Sequence, residues 1–239
     1  MPSARGGGRA RTGAMPSMRG VFVTGTGTEV GKSVVAAAIC AALAARGERV
    51  AAFKPVVTGL DEQPGEFGRD HELLAGAAGS GQTPGEVAPH SFGPPVSPHL
   101  AAELAHVTIE PAELVAAARA AGGDRVLVCE GVGGLMVPIT TGYLVRDLAV
   151  ELGLPVVVAA RPGLGSINHT LLTVEAARAA GLSVAGVVVT PWPDEPSAME
   201  SSNRDTIERL SGIGVSALPR TSPDRLAEAG ASLPVDDWL

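Results

Sequence analysis

Two textures alternate along the chain. Short runs are β-branched and almost continuously apolar: Gly20–Thr24, Arg49–Phe53, Arg125–Cys129, Pro155–Ala160, Val184–Thr190 and Val215–Leu218. A strand with one wet face alternates apolar and polar residues. Unbroken apolar runs belong to strands buried on both faces, as in parallel sheets. Between them lie longer stretches rich in Ala, Leu and Glu: Ser33–Arg46, Asp70–Ala78, Pro98–His106, Pro111–Ala121, Leu144–Leu152, Ile167–Ala180 and Ala198–Leu210. Their length and composition predict helices. Strand, helix, strand repeated along a chain predicts an α/β fold with a mostly parallel central sheet and right-handed crossovers. Residues 79–98, GSGQTPGEVAPHSFGPPVSP, carry neither texture and read as one long loop, either a linker or a segment that shapes a substrate site.

A length of 239 residues suits a single domain, placed over residues 19–239 because no internal repeat or linker interrupts them. The opening stretch, MPSARGGGRARTGAMPSM, is basic and Gly-rich and lacks the apolar segment of a secretory signal. Residues 1–18 are therefore expected to be a disordered tail or the product of an upstream start codon. The longest apolar run, Val34–Ala45, falls short of a membrane span. A net charge of -7 and 3% aromatic residues weigh against a phosphate-backbone binder and a base-stacking platform, so neither nucleic acid nor membrane is an expected partner. Cys40 and Cys129 sit in apolar runs and read as reduced core residues, in keeping with a cytoplasmic location.

Four segments carry chemistry. In GVFVTGTGTEVGKS, Gly20 to Ser33, a strand runs into a Gly-rich loop, then Lys32-Ser33, then an Ala-rich helix. That is the context of a phosphate-binding P-loop. Small residues let backbone N–H groups turn inward, Lys32 reaches phosphate oxygens, and the Ser33 hydroxyl can ligate Mg²⁺. The strict pattern has four residues between its glycines; here five separate Gly25 from Gly31. In FKPVVTG, Lys54 follows a strand, at the edge where such sheets bind ligands, and supplies a second cation for transferring phosphoryl groups. In RVLVCEGVGG, Glu130 closes an apolar strand where a metal-holding acid is expected. Asp70, at a helix start, reads on its own as an N-cap. In ARPGLGSINH, free backbone N–H groups at Gly165, Ser166, Ile167 and Asn168 could hold a carboxylate. His99 and His169 lack any accompanying Cys pattern, which weighs against zinc.

The motifs GTGTEVGKS, KPVVTG, SPH (Ser97–His99), EGVGG and GLGSINH occur in an order and spacing that resemble dethiobiotin synthetase, over nearly all of the chain after Arg19. The resemblance implies a P-loop NTPase-like three-layer fold and a homodimer with active sites at its interface. It implies ATP-dependent carboxylation and ring closure of 7,8-diaminononanoate with CO₂, through a carbamate and a carbamic–phosphoric mixed anhydride. Thr28, Glu29, Val30, Gly31, Lys32 and Ser33 would surround the ATP phosphates, and Glu130, Gly133, Thr190, Pro191 and Pro219 would complete the nucleotide site. Ser33, Asp70 and Glu130 would hold Mg²⁺, which promotes Asp70 from cap to ligand. Lys32 and Lys54 would be catalytic, Thr58 would approach the reacting end of the diamine, and Gly165–Asn168 would bind its carboxylate from the neighbouring subunit.

Two positions depart from that family. Ser33 replaces a Thr and keeps the hydroxyl. Thr190 stands where many members carry an Asn whose amide reads adenine; one hydroxyl cannot offer a paired donor and acceptor, so other nucleoside triphosphates become candidate co-substrates. Two competing readings share the architecture. Partition-type regulatory ATPase switches typically carry an early P-loop lysine, and positions 24–30 have none. An amidotransferase-type synthase needs a glutaminase Cys/His site, which Cys40 and Cys129 do not evidently supply.

Overall fold

The computed structural model describes residues 18–239; the expected N-terminal tail, Met18 excepted, lies outside the described residues. Met18 itself packs against the core. In chain order the elements are β1 (Gly20–Gly25), α1 (Lys32–Ala45), β2 (Val50–Phe53), β3 (Val56–Val57), α2 (Asp70–Ala78), α3 (Pro84–Val87), β4 (His90–Ser91), α4 (Pro98–Leu104), α5 (Pro111–Gly122), β5 (Val126–Glu130), β6 (Pro138–Thr140), β7 (Tyr143–Leu144), α6 (Val145–Leu152), β8 (Val156–Ala160), α7 (Ser166–Ala179), β9 (Val184–Trp192), α8 (Ala198–Ser211), β10 (Val215–Pro219), α9 (Leu226–Gly230) and α10 (Val235–Trp238). Six strands form one sheet in the order β10-β9-β8-β1-β5-β2, and every neighbouring pair is parallel.

The apolar runs are unbroken because each strand feeds two cores. Successive strand side chains point to opposite faces. Phe22, Ala51, Phe53, Leu127, Val156 and Val158 pack on one face, with α4 to α8. Val21, Val23, Val50, Val126, Val128 and Val157 pack on the other, with α1, α2, α9 and α10. The result is the expected helix–sheet–helix sandwich. α1 is apolar on nearly all sides because it is covered by more than the sheet: α2 and α9 pack on it as well. Gly230 permits the closest approach, since a Cβ there would meet the Ala38 carbonyl oxygen at 2.0 Å. Both cysteines are free and buried, and burial pushes both thiols up, away from the reactive thiolate.

The stretch expected to be one long loop is structured. Thr83 and Glu86 form a reciprocal capping box that starts α3. β4 then pairs in parallel with β3, and Pro98 opens α4. α3 and β4 are four and two residues long, too short to show a period, whereas α4 is the helix expected from Pro98. The segment from Gln82 to Val87 does a job the sequence pattern hides, which is to cover the edge strand β2. The Gln82 side-chain amide donates to the Ala52 carbonyl at 3.1 Å and accepts from the Ala52 N–H at 2.9 Å, as a neighbouring strand would. The Lys54 N–H donates to the Val87 carbonyl at 2.9 Å. Covered edges do not recruit other chains. Gln82→Ala should leave both Ala52 groups unpaired and lower the unfolding free energy by about 1–3 kcal/mol in a urea titration.

Candidate active site

Every segment singled out for chemistry emerges at the carboxyl edge of the sheet, where doubly wound folds bind ligands. The Gly-rich loop follows β1, Lys54 follows β2, Glu130 ends β5, Arg161 follows β8, and Thr190 and Pro219 lie near the ends of β9 and β10. The loop turns sharply into α1. Glu29 is left-handed at φ 57°, and Gly31 at φ 87°. Gly31 could not be replaced even by a residue that tolerates this φ, because its Cβ would lie 2.6 Å from the Thr190 methyl.

A cleft of about 490 Å³ opens beside the loop. Its lining includes Thr28, Glu29, Gly31, Lys32, Ser33, Lys54, Thr58, Asp70, Glu130 and Gly133, so ten of the expected site residues share one space. Its floor is a charge network. Lys54 Nζ lies 2.7 Å from Asp70 Oδ2 and 2.6 Å from Glu130 Oε1. The Ser33 hydroxyl donates to the same Glu130 oxygen at 2.8 Å. Glu130 is fully buried and Lys54 is 3% exposed.

Burial works against the Lys54 ammonium, but the Glu130 and Asp70 carboxylates outweigh it and hold its pKa above the ordinary lysine value. Burial likewise works against the Asp70 carboxylate, and Lys54 overrides it and keeps Asp70 ionised. Lys32 differs. Its Nζ donates to the Gly27 carbonyl at 2.8 Å and has no carboxylate in contact. Burial, reinforced by the positive charge of Lys54, lowers it to about 8, while Glu130 and Asp70 pull the other way.

The donor set suits a hard divalent cation. Glu130 Oε2 is buried with no hydrogen-bond partner, and the Ser33 hydroxyl and Asp70 carboxylate lie beside the same glutamate. Oxygen donors from a hydroxyl and two carboxylates are what Mg²⁺ takes while it keeps several waters.

The remaining expected residues lie elsewhere. Gly165 is left-handed at φ 88° and opens α7, with Ser166, Ile167 and Asn168 in its first turn. This turn does not line the main cleft. Ser166 lines a smaller one on the other side of the P-loop, together with Val30, Arg161 and Thr28, and its buried hydroxyl has no partner. Ile167 packs against the core and Asn168 is exposed. Thr190 is buried behind Gly31, joined to Pro191 by a cis peptide, and Pro219 pairs with Trp192 at the sheet end.

Two arginines given no role of their own in the sequence reading also shape the site. Arg69 donates to the carbonyls of Gly59, Leu60 and Glu62 at 3.0, 2.7 and 2.5 Å, which ties the loop after Thr58 to the start of α2 beside Asp70. Arg161 donates to the Glu29 carbonyl. Their partners are backbone oxygens of other segments, so no spacing in the sequence announces them.

A family model described as an AAA domain matches residues 19–221. A protein of Anaeromyxobacter dehalogenans (strain 2CP-1) named ATP-dependent dethiobiotin synthetase BioD is 43% identical over 208 residues, 87% of this chain and 92% of its own. Proteins of the same name from Rhodococcus jostii (strain RHA1) and Bacillus subtilis (strain 168) are 40% and 35% identical, covering 92% and 83% of this chain and 94% and 85% of their own.

The chain belongs to the dethiobiotin synthetase family.

Among solved structures, a ParA family ATPase from Chlorobium tepidum aligns with TM-score 0.54 at 13% identity, covering 91% of this chain and 92% of its own. The cell-division ATPase MinD of Pyrococcus furiosus aligns with TM-score 0.54 at 15% identity, covering 90% and 96%. Both are named as ATPases and share the architecture of the competing class. At such identities they share the fold alone. The dethiobiotin synthetase assignment rests on the sequence relatives, and it agrees with the order of the five motifs.

The two lysines of this dethiobiotin synthetase family member should titrate far apart. In ¹⁵Nζ-lysine NMR of the ligand-free protein, Lys32 should lose its proton as pH rises through about 8, and Lys54 should keep its proton beyond the ordinary lysine value of 10.5. Asp70→Asn and Glu130→Gln should each lower the Lys54 value by removing one of the two charges that hold it up.

Proposed function

We propose that the chain catalyses ATP-dependent carboxylation and ring closure of 7,8-diaminononanoate to dethiobiotin. The observation that carries the reading is the convergence of Lys32, Lys54, Ser33, Asp70 and Glu130 on one cleft beside the P-loop, with no nucleophile–base pair among them. The chemistry requires none, because the substrate supplies both nucleophiles. One amine adds to CO₂: an N–C bond forms, a proton leaves, and a carbamate results. A carbamate oxygen displaces ADP from the γ-phosphorus and gives a mixed anhydride. The second amine then attacks the carbamoyl carbon, a C–N bond closes the ureido ring, and phosphate leaves.

What remains for the protein is positioning and charge neutralisation. Lys32 and the loop amides hold the triphosphate, and Lys54 faces the carbamate and γ-phosphate oxygens. Thr58, on the cleft wall, receives the diamine end of the substrate. Mg²⁺, held by Ser33, Asp70 and Glu130, would offset the charge on the phosphate oxygens.

The turn at Gly165–Asn168 is the proposed carboxylate site of the neighbouring subunit's substrate. Its absence from the main cleft of its own chain supports that reading. Beside it Leu164, Leu172 and Met136 are 94%, 60% and 52% exposed, an apolar face of the kind a second copy covers. Purified protein with the diamine, bicarbonate, Mg²⁺ and ATP should give the ring-closed product by mass spectrometry, and no product without diamine. Sedimentation at the assay concentration should show a dimer; a fully active monomer would overturn the cross-subunit site. Asp70→Asn should raise the Mg²⁺ needed for half-maximal rate; a titration that overlays the parent's would leave Asp70 only as the ion-pair partner of Lys54, since Arg69 and not Asp70 is the N-cap of α2 and no side chain caps that helix.

Thr190 presents a methyl to Gly31 and offers no planar amide, so base discrimination is weak. GTP, CTP and UTP should support turnover with kcat/KM within about tenfold of ATP, or about 1.4 kcal/mol. A preference for ATP above a hundredfold would show that groups other than Thr190 read the base.

A further inference from the structure

We propose that Arg161 is a positioning residue of the nucleotide site, whose guanidinium clamps the Glu29 carbonyl and so keeps the P-loop amides turned toward the phosphates. The inference rests on the reading of this loop as a nucleotide site and goes beyond it.

A backbone that points N–H groups inward must point carbonyls outward, and outward carbonyls need donors of their own. The loop has three tethers, one made by a loop amide and two by donors to loop carbonyls. The Thr26 N–H donates to the Ala159 carbonyl at 3.0 Å, and Lys32 Nζ donates to the Gly27 carbonyl at 2.8 Å. Arg161 donates to the Glu29 carbonyl from Nε at 2.9 Å and from Nη2 at 2.5 Å. The third tether falls where the loop is under most strain. Glu29 is left-handed without being glycine, in a loop one residue longer than the strict pattern. The Glu29 carboxylate lies 3.9 Å from Nη2, beyond hydrogen-bond reach, so the grip is on the backbone.

Arg161 is well placed to hold. It is the first residue after β8, the strand paired with β1. The next two residues, Pro162 and Gly163, are fixed in turn: the amide of the buried Asn203, on α8, donates to both their carbonyls at 3.0 Å. A guanidinium suits the task because its planar fork places two N–H groups on one oxygen. Its side chain is 60% exposed, so its charge is screened and the contribution is geometric.

The test is calorimetric binding of a non-hydrolysable ATP analogue with Mg²⁺, alongside steady-state kinetics. Arg161→Ala should weaken binding about tenfold and raise the nucleotide KM to match, with kcat at saturating nucleotide within about threefold of the parent. Arg161→Lys, with one compact donor, should recover part of the loss. The decisive arm uses Glu29→Gly as background. Glycine adopts the left-handed conformation without strain, so there Arg161→Ala should cost less than about threefold. A folded Arg161→Ala protein that binds within twofold of the parent overturns the proposal, as does an undiminished loss in the Glu29→Gly background. Should Arg161→Ala fail to fold, Arg161→Lys in the two backgrounds makes the same comparison. A parent protein that binds no nucleotide would instead refute the reading of the loop itself.

Discussion

A buried ammonium between two carboxylates organises this molecule. Lys54 brings together the end of β2, the first turn of α2 and the end of β5, and Ser33 joins α1 to the same oxygen of Glu130. An unpaired charge at such depth is costly, and removing one partner of a buried pair typically costs about 3–5 kcal/mol. Each member is therefore tolerable only because the others are present. The arrangement gains stability less than it gains position. Four segments distant in sequence are held in register within hydrogen-bonding distance, and they all face the cleft. Lys54, the cation suited to neutralising a transferring phosphoryl, is also the group that keeps the cleft floor assembled.

The architecture delivers those segments to one place. In a parallel sheet every strand points the same way, so all carboxyl ends share one edge. β1, β2, β5 and β8 contribute the P-loop, Lys54, Glu130 and Arg161 from that edge, with β1 and β8 adjacent near the middle of the sheet. The connection from β1 leads toward β2 on one side, and the chain from β8 leads to β9 on the other. The crevice between diverging connections is where an anion meets free backbone N–H groups and a helix N-terminus together.

The layers of this fold are legible in the sequence because burial on both faces leaves a plain mark: strands such as Val156–Ala160 contain no polar residue at all. The long helices are legible for a related reason, being long enough to show their composition. Residues 79–98 hide α3 and β4 because a four-residue helix and a two-residue strand have no period to detect. α9 and α10 escape for the same reason, although α9 packs closely on α1. At the site, Lys32, Ser33, Lys54 and Glu130 are legible as candidates because phosphate chemistry calls for those residue types where strands end and the helix after a Gly-rich loop begins. Asp70 reads on its residues alone as a cap, and only the fold brings it to Lys54 from sixteen residues away. Arg69 and Arg161 are not legible at all, since a side chain that serves backbone carbonyls leaves no pattern of its own.

The same distinction bears on how one sheet serves both the ATPases that share this fold and the dethiobiotin synthetase family. On the proposed reading, the grip on a triphosphate would be mostly backbone: the loop amides, a left-handed Gly31 and one lysine. Such a grip is indifferent to what the phosphoryl group is transferred to. The outcome depends on what stands across the cleft. Here that side is built from Lys54, Asp70 and the loop after Thr58 pinned by Arg69, none of which belongs to the P-loop. A second cation set against the phosphates favours an anionic acceptor, because a bare carboxylate-like oxygen approaching a triphosphate is repelled unless positive charge lies between them. The carbamate of the proposed reaction would be such an acceptor. Lys54 is anchored from below by two carboxylates that hold its pKa above the ordinary lysine value, so it carries the positive charge that requirement calls for.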